Sequence, residues 1–367
     1  MRTLTDARGD SGYRPALDGL RGLAVGAVVA FHLGYPWAVG GYLGVSVFFT
    51  LSGFLITGLL LGERASAGRI DLKRFWSRRA RRLLPPALLG LVLAATVTRS
   101  MPLAPPGANI DLLAALGDVA NWRFLIAGRS YGALFTSPSA ALHYWSLSIE
   151  EQFYALYPLM VVAGFRNRSN PRRLLRWCAI GVACSWGALL AAGITGHHDF
   201  AYYSTLTRGG ELLVGAMAAI RLRLRTTRHA APPGPARQAA EALALVVLIA
   251  LSATIAQSSV ALELGVLPLV AVLSAIVVMG GYRGGLIATL LSWRPLVGLG
   301  RISYGVYVYH WPLLLWLTAT RTGLHGLALT GLRLAVTVAV SLASYFLVER
   351  PIRAGQWPSP RVAMRVA

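Results

Sequence analysis

The chain has 367 residues, of which 55% are hydrophobic and only 13% are charged. An ordinary soluble domain carries about 25% charged residues, so this composition excludes most soluble proteins and indicates a membrane protein. Lysine and arginine number 35 against 14 acidic residues, which leaves a net charge of +21. Such an excess can serve nucleic acid, acidic lipid or membrane topology, and the distribution of the basic residues distinguishes these uses.

Apolar stretches long enough to cross the hydrocarbon core of a bilayer, which takes about 20 helical residues, recur along the chain. We therefore predict an all-α, polytopic membrane protein with about ten transmembrane helices. No internal repeat or soluble segment stands out, so we expect residues 1–367 to form a single integral-membrane domain with no appended soluble domain. The predicted spans are Leu17–Ala38, Tyr42–Leu61, Leu83–Thr98, Ser146–Gly164, Trp177–Gly193, Gly210–Leu224, Ala239–Ile255, Leu262–Gly281, Ile302–Thr320 and Leu327–Val348.

The basic residues fall mainly in alternate connections between these spans, for example between Arg64 and Arg82. By the positive-inside rule, both termini and the basic connections lie in the cytoplasm, and the connection Met101–Leu142 lies outside. The positive net charge is then explained by the orientation of the chain in the membrane, and we expect no nucleic-acid partner. The arginine-rich, lysine-poor composition is typical of a bacterium with GC-rich DNA, so the expected location is the bacterial cytoplasmic membrane.

Charged and titratable side chains at bilayer depth are costly, which makes each one a functional candidate. The first span contains Asp18, Arg21 and His32. Eleven residues at 100° each bring His32 back to within about 20° of the direction of Arg21 and about 16 Å further along the helix. We therefore predict that the three side chains share one face, with His32 near the middle of the bilayer. An imidazole there can take a proton from a hydroxyl and return it, although a lone histidine can equally be a packing residue.

Arg79 and Arg82 precede the third span and are three residues apart, so they share a helix face. Guanidinium groups bind phosphate through two parallel hydrogen bonds, which would suit a nucleotide-like donor at the cytoplasmic mouth. An anchor at the membrane surface is the simpler alternative.

The fourth and ninth spans carry further polar candidates. Ser148 and Glu151 fit a capping box at the start of the fourth span, which leaves Glu150 without a structural explanation. Tyr309 and His310 lie in the middle of the ninth span, where His310 is either functional or a hydrogen-bonded core residue.

Arg208 and Glu211, at the start of the sixth span, are three residues apart, and we expect them to form an internal ion pair. The sequence has no H-E-x-x-H motif and no cluster of cysteine and histidine residues, so we expect no metal site.

Five sequence segments form a set in chain order. They are R-P-A-L-D-G-L-R-G at 14–22 with His32 eleven residues after Arg21, the stretch 44–56, the pair Arg79 and Arg82, the stretch 144–154, and the stretch 303–312 with the closing E-R-P at 349–351. Together they resemble the membrane acyltransferase-3 family, integral-membrane O-acyltransferases of envelope polysaccharides and of some glycosylated natural products. The resemblance spans essentially the whole chain.

The resemblance implies transfer of an acyl group, acetyl or another short acyl, from cytoplasmic acyl-CoA to a hydroxyl of a sugar, glycan or macrolide-type acceptor. Acyl-CoA would be a co-substrate, and no permanently bound cofactor is expected. His32 would be the catalytic imidazole and Arg21 its partner in an R-x10-H pattern. The catalytic residues so expected are His32, Arg21 and Glu150, and the donor-binding residues are Arg79, Arg82, Ser52, Tyr309 and His310.

Several alternatives stay open at this point. His32 acts either as a general base or as a covalent acyl carrier, and Ser52 or Tyr309 would stabilise the oxyanion. A membrane transporter of a small solute is the competing function, because such proteins also place charged residues around an aqueous cavity. Acceptor identity, acyl chain length and oligomeric state, including a dimer, are undetermined by the sequence.

Overall fold

The computed structural model describes residues 13–101, 104–128, 138–165, 170–225 and 234–355. Across these ranges all regular secondary structure is helical and no strand occurs, which confirms the all-α prediction. Both ends of the chain lie outside the described residues, so the expected cytoplasmic location of the termini stays a prediction.

Seventeen helices follow one another along the described parts of the chain. In order, they are α1 Pro15–His32, α2 Gly44–Ala67, α3 Leu72–Ser100, α4 Ala108–Leu116, α5 Ala120–Ile126, α6 Tyr144–Gly164, α7 Pro171–Ile194, α8 His198–Tyr203, α9 Thr205–Arg225, α10 Pro235–Thr254, α11 Leu267–Arg283, α12 Leu286–Leu291, α13 Arg294–Arg301, α14 Ser303–Trp316, α15 Ala319–Thr322, α16 Gly326–Ser344 and α17 Arg350–Arg353. A π-helical turn, Leu262–Val266, leads into α11, and another, Tyr345–Glu349, joins α16 to α17.

Each predicted span contains a helix, but only part of the predicted count of ten is supported. Within the described residues, six stretches are long and apolar enough to cross a membrane. Among the helices of the ten predicted spans, the four outside this set are α1, α6, α9 and α14, which carry His32, Glu150, the Arg208–Glu211 pair and His310. The six stretches are Pro36–Ala67, Leu72–Ser100, Pro171–Ile194, Pro235–Thr254, Leu262–Arg283 and Gly326–Arg353.

The first helix ends at His32, earlier than the predicted boundary at Ala38. Gly34 adopts a left-handed conformation with φ of 77°, and Pro36 then begins a short 3-10 turn. Glycine takes this conformation without steric cost, which is why the helix can stop here. His32 therefore sits at the end of a helix rather than within one.

The predicted capping box at the start of α6 is wrong. The helix begins at Tyr144, so Ser148 and Glu151 lie inside it rather than at its cap. The Ser148 hydroxyl instead accepts a hydrogen bond from the backbone N–H of Ala120, at 3.1 Å. This bond holds the start of α5 against α6.

The predicted ion pair on α9 is confirmed. Arg208 Nε lies 2.9 Å from Glu211 Oε1, and both side chains are 2% exposed. Arg208 also donates a hydrogen bond to Ser46 Oγ on α2, at 3.1 Å. Three aromatic rings stand within cation–π distance of its guanidinium, which offsets part of the cost of burying the charge. They belong to Phe49, Trp145 and Tyr202.

Two glycines bring α2 and α9 into direct backbone contact. A Cβ atom at Gly53 would collide with the carbonyl oxygen of Leu212, and one at Gly215 would collide with that of Thr50. Small residues at such positions let membrane helices approach closely and gain packing energy. This contact fixes the position of the α2 face that carries Ser52.

The helix bundle has two ends that differ in chemistry. At one end, which we call the arginine end, α3 begins and α17 lies, with Arg79, Arg82 and Arg353 around one pocket. At the other, which we call the distal end, the chain after α1 is tied to the end of α10. The Gly40 N–H donates to Ser252 O at 3.0 Å, and the Tyr42 hydroxyl donates to Ile255 O at 3.3 Å.

The contact between α2 and α9 predicts a difference between two glycines on one helix. We expect Gly53→Ala to destabilise the protein by about 1–3 kcal/mol because the added methyl group forces the two backbones apart. Gly58→Ala is the matched control, because nothing lies within 4 Å of its added Cβ and the helix gains up to about 1 kcal/mol in propensity. Thermal unfolding of both variants in detergent measures this, and a Gly53→Ala variant as stable as Gly58→Ala would contradict the close contact.

Candidate functional site

A central cavity opens among α1, α2, α3, α6 and α14. About 640 Å³ of space free of atoms lies within it, part of which is open to solvent. The charged and polar side chains in its wall come from all five of these helices. They include Arg21, Ser52, Arg79, Arg82, Glu150 and Tyr154.

Three polar side chains form a hydrogen-bonded group in the cavity wall. The Ser52 hydroxyl donates to Glu150 Oε1 at 2.8 Å. The Tyr154 hydroxyl lies 3.0 Å from Ser52 Oγ and 3.2 Å from Glu150 Oε2. Glu150, which the capping pattern left unexplained, is thus held by α2 and by its own helix one turn further on.

Arg21 belongs to the wall of the same cavity. Its Nε atom donates a hydrogen bond to Ser303 Oγ on α14, at 3.1 Å, and its guanidinium stands 5.5 Å from the centre of the Phe48 ring. A charge placed in this way is held by one hydrogen bond and one aromatic face, which leaves further N–H groups for a ligand.

Arg79 and Arg82 line two spaces at once. Both face the central cavity, and both also line a second space that we call the arginine pocket, with Arg78, Arg81 and Arg353. Arg78 is paired with Glu63, at 3.1 Å. Among the described residues that line the arginine pocket, none is acidic. The pocket therefore suits a ligand with several negative charges.

Three buried histidines form a cluster beyond the cavity. His310 Nδ1 lies 2.7 Å from the carbonyl oxygen of Tyr307 and so carries a hydrogen, because a carbonyl only accepts. By the same reasoning His32 Nδ1, 2.9 Å from Val28 O, carries its hydrogen and also donates to His310 Nε2, at 3.1 Å. In the neutral ring the lone pair of His32 is then on Nε2, which is the nitrogen able to accept a proton.

The third member of the cluster is His143, at the start of α6. Its Nε2 atom donates to Val308 O at 2.9 Å, and its ring centre is 5.7 Å from that of His310. The Nδ1 atom of His143 is buried and has no hydrogen-bond partner among the described residues.

Ser146 and Tyr307 lie between the cavity and the histidines. Both line the cavity, and their side-chain oxygens are 2.6 Å apart. The Tyr307 hydroxyl also donates to the carbonyl oxygen of His143 at 3.2 Å, and its ring centre is 5.6 Å from that of His310. The cavity and the histidine cluster are thus neighbours that share Tyr307.

The structure brings together some of the predicted site residues and separates others. Arg21 and His32 both contact α14, as expected of a shared face, but only Arg21 lines the cavity. The Tyr309 hydroxyl donates to Ser344 Oγ on α16, at 2.8 Å, and does not line the cavity. The predicted residues that do line it are Arg21, Ser52, Arg79, Arg82 and Glu150.

Sequence reasoning did not identify Tyr307, Ser146, His143 or Arg353 as members of the site. Tyr307 was detectable, because it precedes His310 by three residues and therefore shares its helix face, whereas Tyr309 does not. Arg353 carried no such signal, since only the packing of α17 brings it beside α3.

Comparison with known proteins identifies the family of this chain. A family model described as an acyltransferase domain matches residues 14–348. The chain belongs to the acyltransferase-3 family. The search of solved structures gave no significant match.

Three curated relatives are bacterial proteins. A Bacillus subtilis protein, provisionally named a peptidoglycan O-acetyltransferase, is 35% identical over 353 residues, covering 93% of this chain and 55% of its own. The peptidoglycan O-acetyltransferase OatA of Listeria monocytogenes is 32% identical, with 93% and 56% covered. The O-acetyltransferase OatA of Staphylococcus aureus is 30% identical, with 93% and 57% covered. The chain thus spans little more than half the length of these acyltransferase-3 relatives.

Proposed function

We propose that this acyltransferase-3 protein moves an acetyl or other short acyl group from an acyl-CoA donor at the arginine end to a hydroxyl of a glycan acceptor. The observation that carries the proposal is that the arginine pocket, the central cavity and the histidine cluster adjoin one another and share lining residues. Arg79 and Arg82 belong to both the arginine pocket and the central cavity, and Tyr307 faces both the cavity and the histidines. A donor can therefore be held at one end while its thioester reaches the other.

The donor's phosphates bind in the arginine pocket. Guanidinium groups offer paired N–H donors that match phosphate oxygens. Glu63 pairs with Arg78, and the described lining places no acidic side chain beside Arg79, Arg82 and Arg353. The pantetheine arm then follows the central cavity past Ser52 and Glu150. If the positive-inside rule holds for this chain, the arginine end faces the cytoplasm of a bacterium, where acyl-CoA is made.

The reaction begins when the thioester displaces the Tyr307 hydroxyl from Ser146 and approaches His32. Nε2 of His32 takes the proton from the acceptor hydroxyl as the hydroxyl oxygen attacks the thioester carbonyl carbon. The tetrahedral intermediate collapses with cleavage of the C–S bond, and the imidazolium returns its proton to the thiolate. The products are the O-acyl ester and free CoA.

His310 positions the imidazole of His32. Its own ring is fixed by donation from Nδ1 to a backbone carbonyl, so its Nε2 accepts the Nδ1–H of His32. This hydrogen bond holds His32 in the tautomer with the basic nitrogen at Nε2 and disperses the charge of the imidazolium that forms.

Tyr307 supplies the donor for the developing oxyanion. The Tyr307 hydroxyl stands in the cavity wall beside the histidines, and on substrate binding it turns its hydrogen from the His143 carbonyl to the oxyanion. Ser52 donates to Glu150, and Tyr309 donates to Ser344 outside the cavity. Donors aimed at the place where charge develops are commonly the largest single contribution to catalysis.

A glycan is the acceptor we favour over a macrolide, because two of the relatives described above carry names that specify peptidoglycan. Membership of an acyltransferase family also favours acyl transfer over the transport of a solute.

Replacing the imidazole tests the central step. We expect His32→Ala to lower the turnover number of acyl transfer by about 10²- to 10⁴-fold, because the general base is lost. The assay follows release of free CoA from acetyl-CoA by the purified protein with a glycan acceptor. Turnover equal to wild type, in a variant that inserts and elutes like wild type, would exclude His32 as the catalytic group.

Omitting the acceptor from the same assay separates the two roles of His32. A covalent carrier accumulates protein heavier by one acyl group, which intact-mass spectrometry detects in wild type and not in His32→Ala. A general base gives no such adduct.

Two tyrosines on α14 give a matched pair of variants. We expect Tyr307→Phe to lower the turnover number by about 10²-fold while the KM for acetyl-CoA stays unchanged, because an oxyanion donor acts in the transition state. Tyr309→Phe should retain near wild-type turnover, since its hydroxyl bonds to Ser344 outside the cavity. Equal effects of the two substitutions would contradict the assignment.

The role of the arginine pocket predicts a selective effect on donor binding. We expect Arg353→Gln to raise the KM for acetyl-CoA by about fivefold, the size of one exposed charge–charge contact, with little change in turnover number. Arg350→Gln is the control, because Arg350 lies on the same short helix and does not line the pocket. Equal KM values for the two variants would remove Arg353 from the donor site.

A further inference from the structure

A third cavity lies at the distal end of the bundle, between α8 and the segment that leads into α11. We call it the α8 pocket, and about 760 Å³ of space free of atoms lies within it, part of which is open to solvent. The proposed reaction makes no use of it. Its polar side chains include His198, Asp199, Gln257, Ser258, Ser259 and Glu263.

The α8 pocket differs from the arginine pocket in the charge of its lining side chains. Its described lining contains neither lysine nor arginine, so it offers no counter-charge to phosphate. The side chains are those that exchange hydrogen bonds with hydroxyl and amide groups, and the Tyr202 ring adds a flat apolar surface. Such a lining suits a neutral or amino sugar.

Glu263 lines this pocket from a π-helical turn of the backbone. It belongs to the π-helical turn Leu262–Val266, and its side chain is largely buried. His198 Nδ1 lies 2.8 Å from Glu263 Oε2, and the His198 side chain is half exposed. Single π-helical turns occur frequently at functional sites, because they turn a side chain out of the regular helical register.

The wall of the α8 pocket is connected to the histidine cluster by aromatic contacts. The Tyr202 ring centre is 6.5 Å from that of Tyr42, and the Tyr42 ring centre is 5.3 Å from that of Phe31. Phe31 in turn stands 5.1 Å from the His32 ring. The α8 pocket is thus linked to His32 through Tyr42 and Phe31, neither of which lines the central cavity.

We propose that the α8 pocket is a sugar subsite that binds a unit of a polymeric glycan acceptor away from the reacting hydroxyl. This inference rests on the proposed acyl transfer and adds the place where the acceptor is recognised. The sugar unit stacks on Tyr202 and hydrogen-bonds to Glu263 and Gln257, while a unit further along the same glycan presents its hydroxyl to His32.

Other ligands fit the pocket less well. A phosphate or an acidic headgroup would meet Asp199 and Glu263 with no basic lysine or arginine among the described lining residues. A metal ion needs three or more ligands close together, and no such group occurs within the described part of the chain.

The test uses the full chain in detergent, acetyl-CoA as donor, and an N-acetylglucosamine tetrasaccharide or the monosaccharide as acceptor. We expect Glu263→Gln and Gln257→Ala each to raise the KM for the tetrasaccharide, by up to about tenfold for the charged group, with the KM for acetyl-CoA unchanged. The KM for the monosaccharide should not change, because one unit does not reach both places. His197→Ala is the control, since its ring bonds to Thr195 outside the pocket.

Unchanged tetrasaccharide KM values in both pocket variants would overturn the subsite while leaving acyl transfer intact. If wild type transfers no acyl group, the proposed function fails, and calorimetric titration of the tetrasaccharide then tests the pocket alone. Binding by wild type that weakens in Gln257→Ala supports the subsite, and equal binding or none overturns it.

Discussion

The contact between α1 and α14 is the constraint on which the site depends. Two side-chain hydrogen bonds cross it, from Arg21 to Ser303 and from His32 to His310, each 3.1 Å long. In a low-dielectric interior, polar groups that satisfy one another are strongly favoured over any arrangement that leaves them unpaired. The two bonds therefore fix the cavity and the histidine cluster on either side of Tyr307.

Helices divide into two classes by what surrounds them. Those long and apolar enough to face lipid are the ones a hydropathy criterion finds, such as Pro235–Thr254. Helices α1, α6, α9 and α14 carry arginine, glutamate and histidine side chains, which lie against protein where partners and cavities can satisfy them. The buried pair of Arg208 and Glu211 shows how such a helix is held without a ligand.

The arginine pocket and the α8 pocket lie at opposite ends of the helix bundle and differ in their side chains. Arginine side chains line the arginine pocket, whereas hydroxyl, amide, imidazole and carboxylate groups line the α8 pocket. In the proposed reaction, a donor and an acceptor of different charge are selected at opposite ends and meet only at His32. Separation of this kind also keeps bulk water away from a reactive thioester.

The sequence by itself determined the helical class, the membrane character and the shared face of Arg21 and His32, because these follow from composition and from a 3.6-residue period. The family motifs also pointed to the residues that line the cavity. The helical period also favours Tyr307 over Tyr309, because Tyr307 shares the face of His310. Only the tertiary structure decided that Ser148 bonds to the start of α5 instead of forming a cap, and that Arg353 lies beside Arg82. Those contacts depend on which helices become neighbours, and contacts between different helices leave no periodic pattern in the sequence.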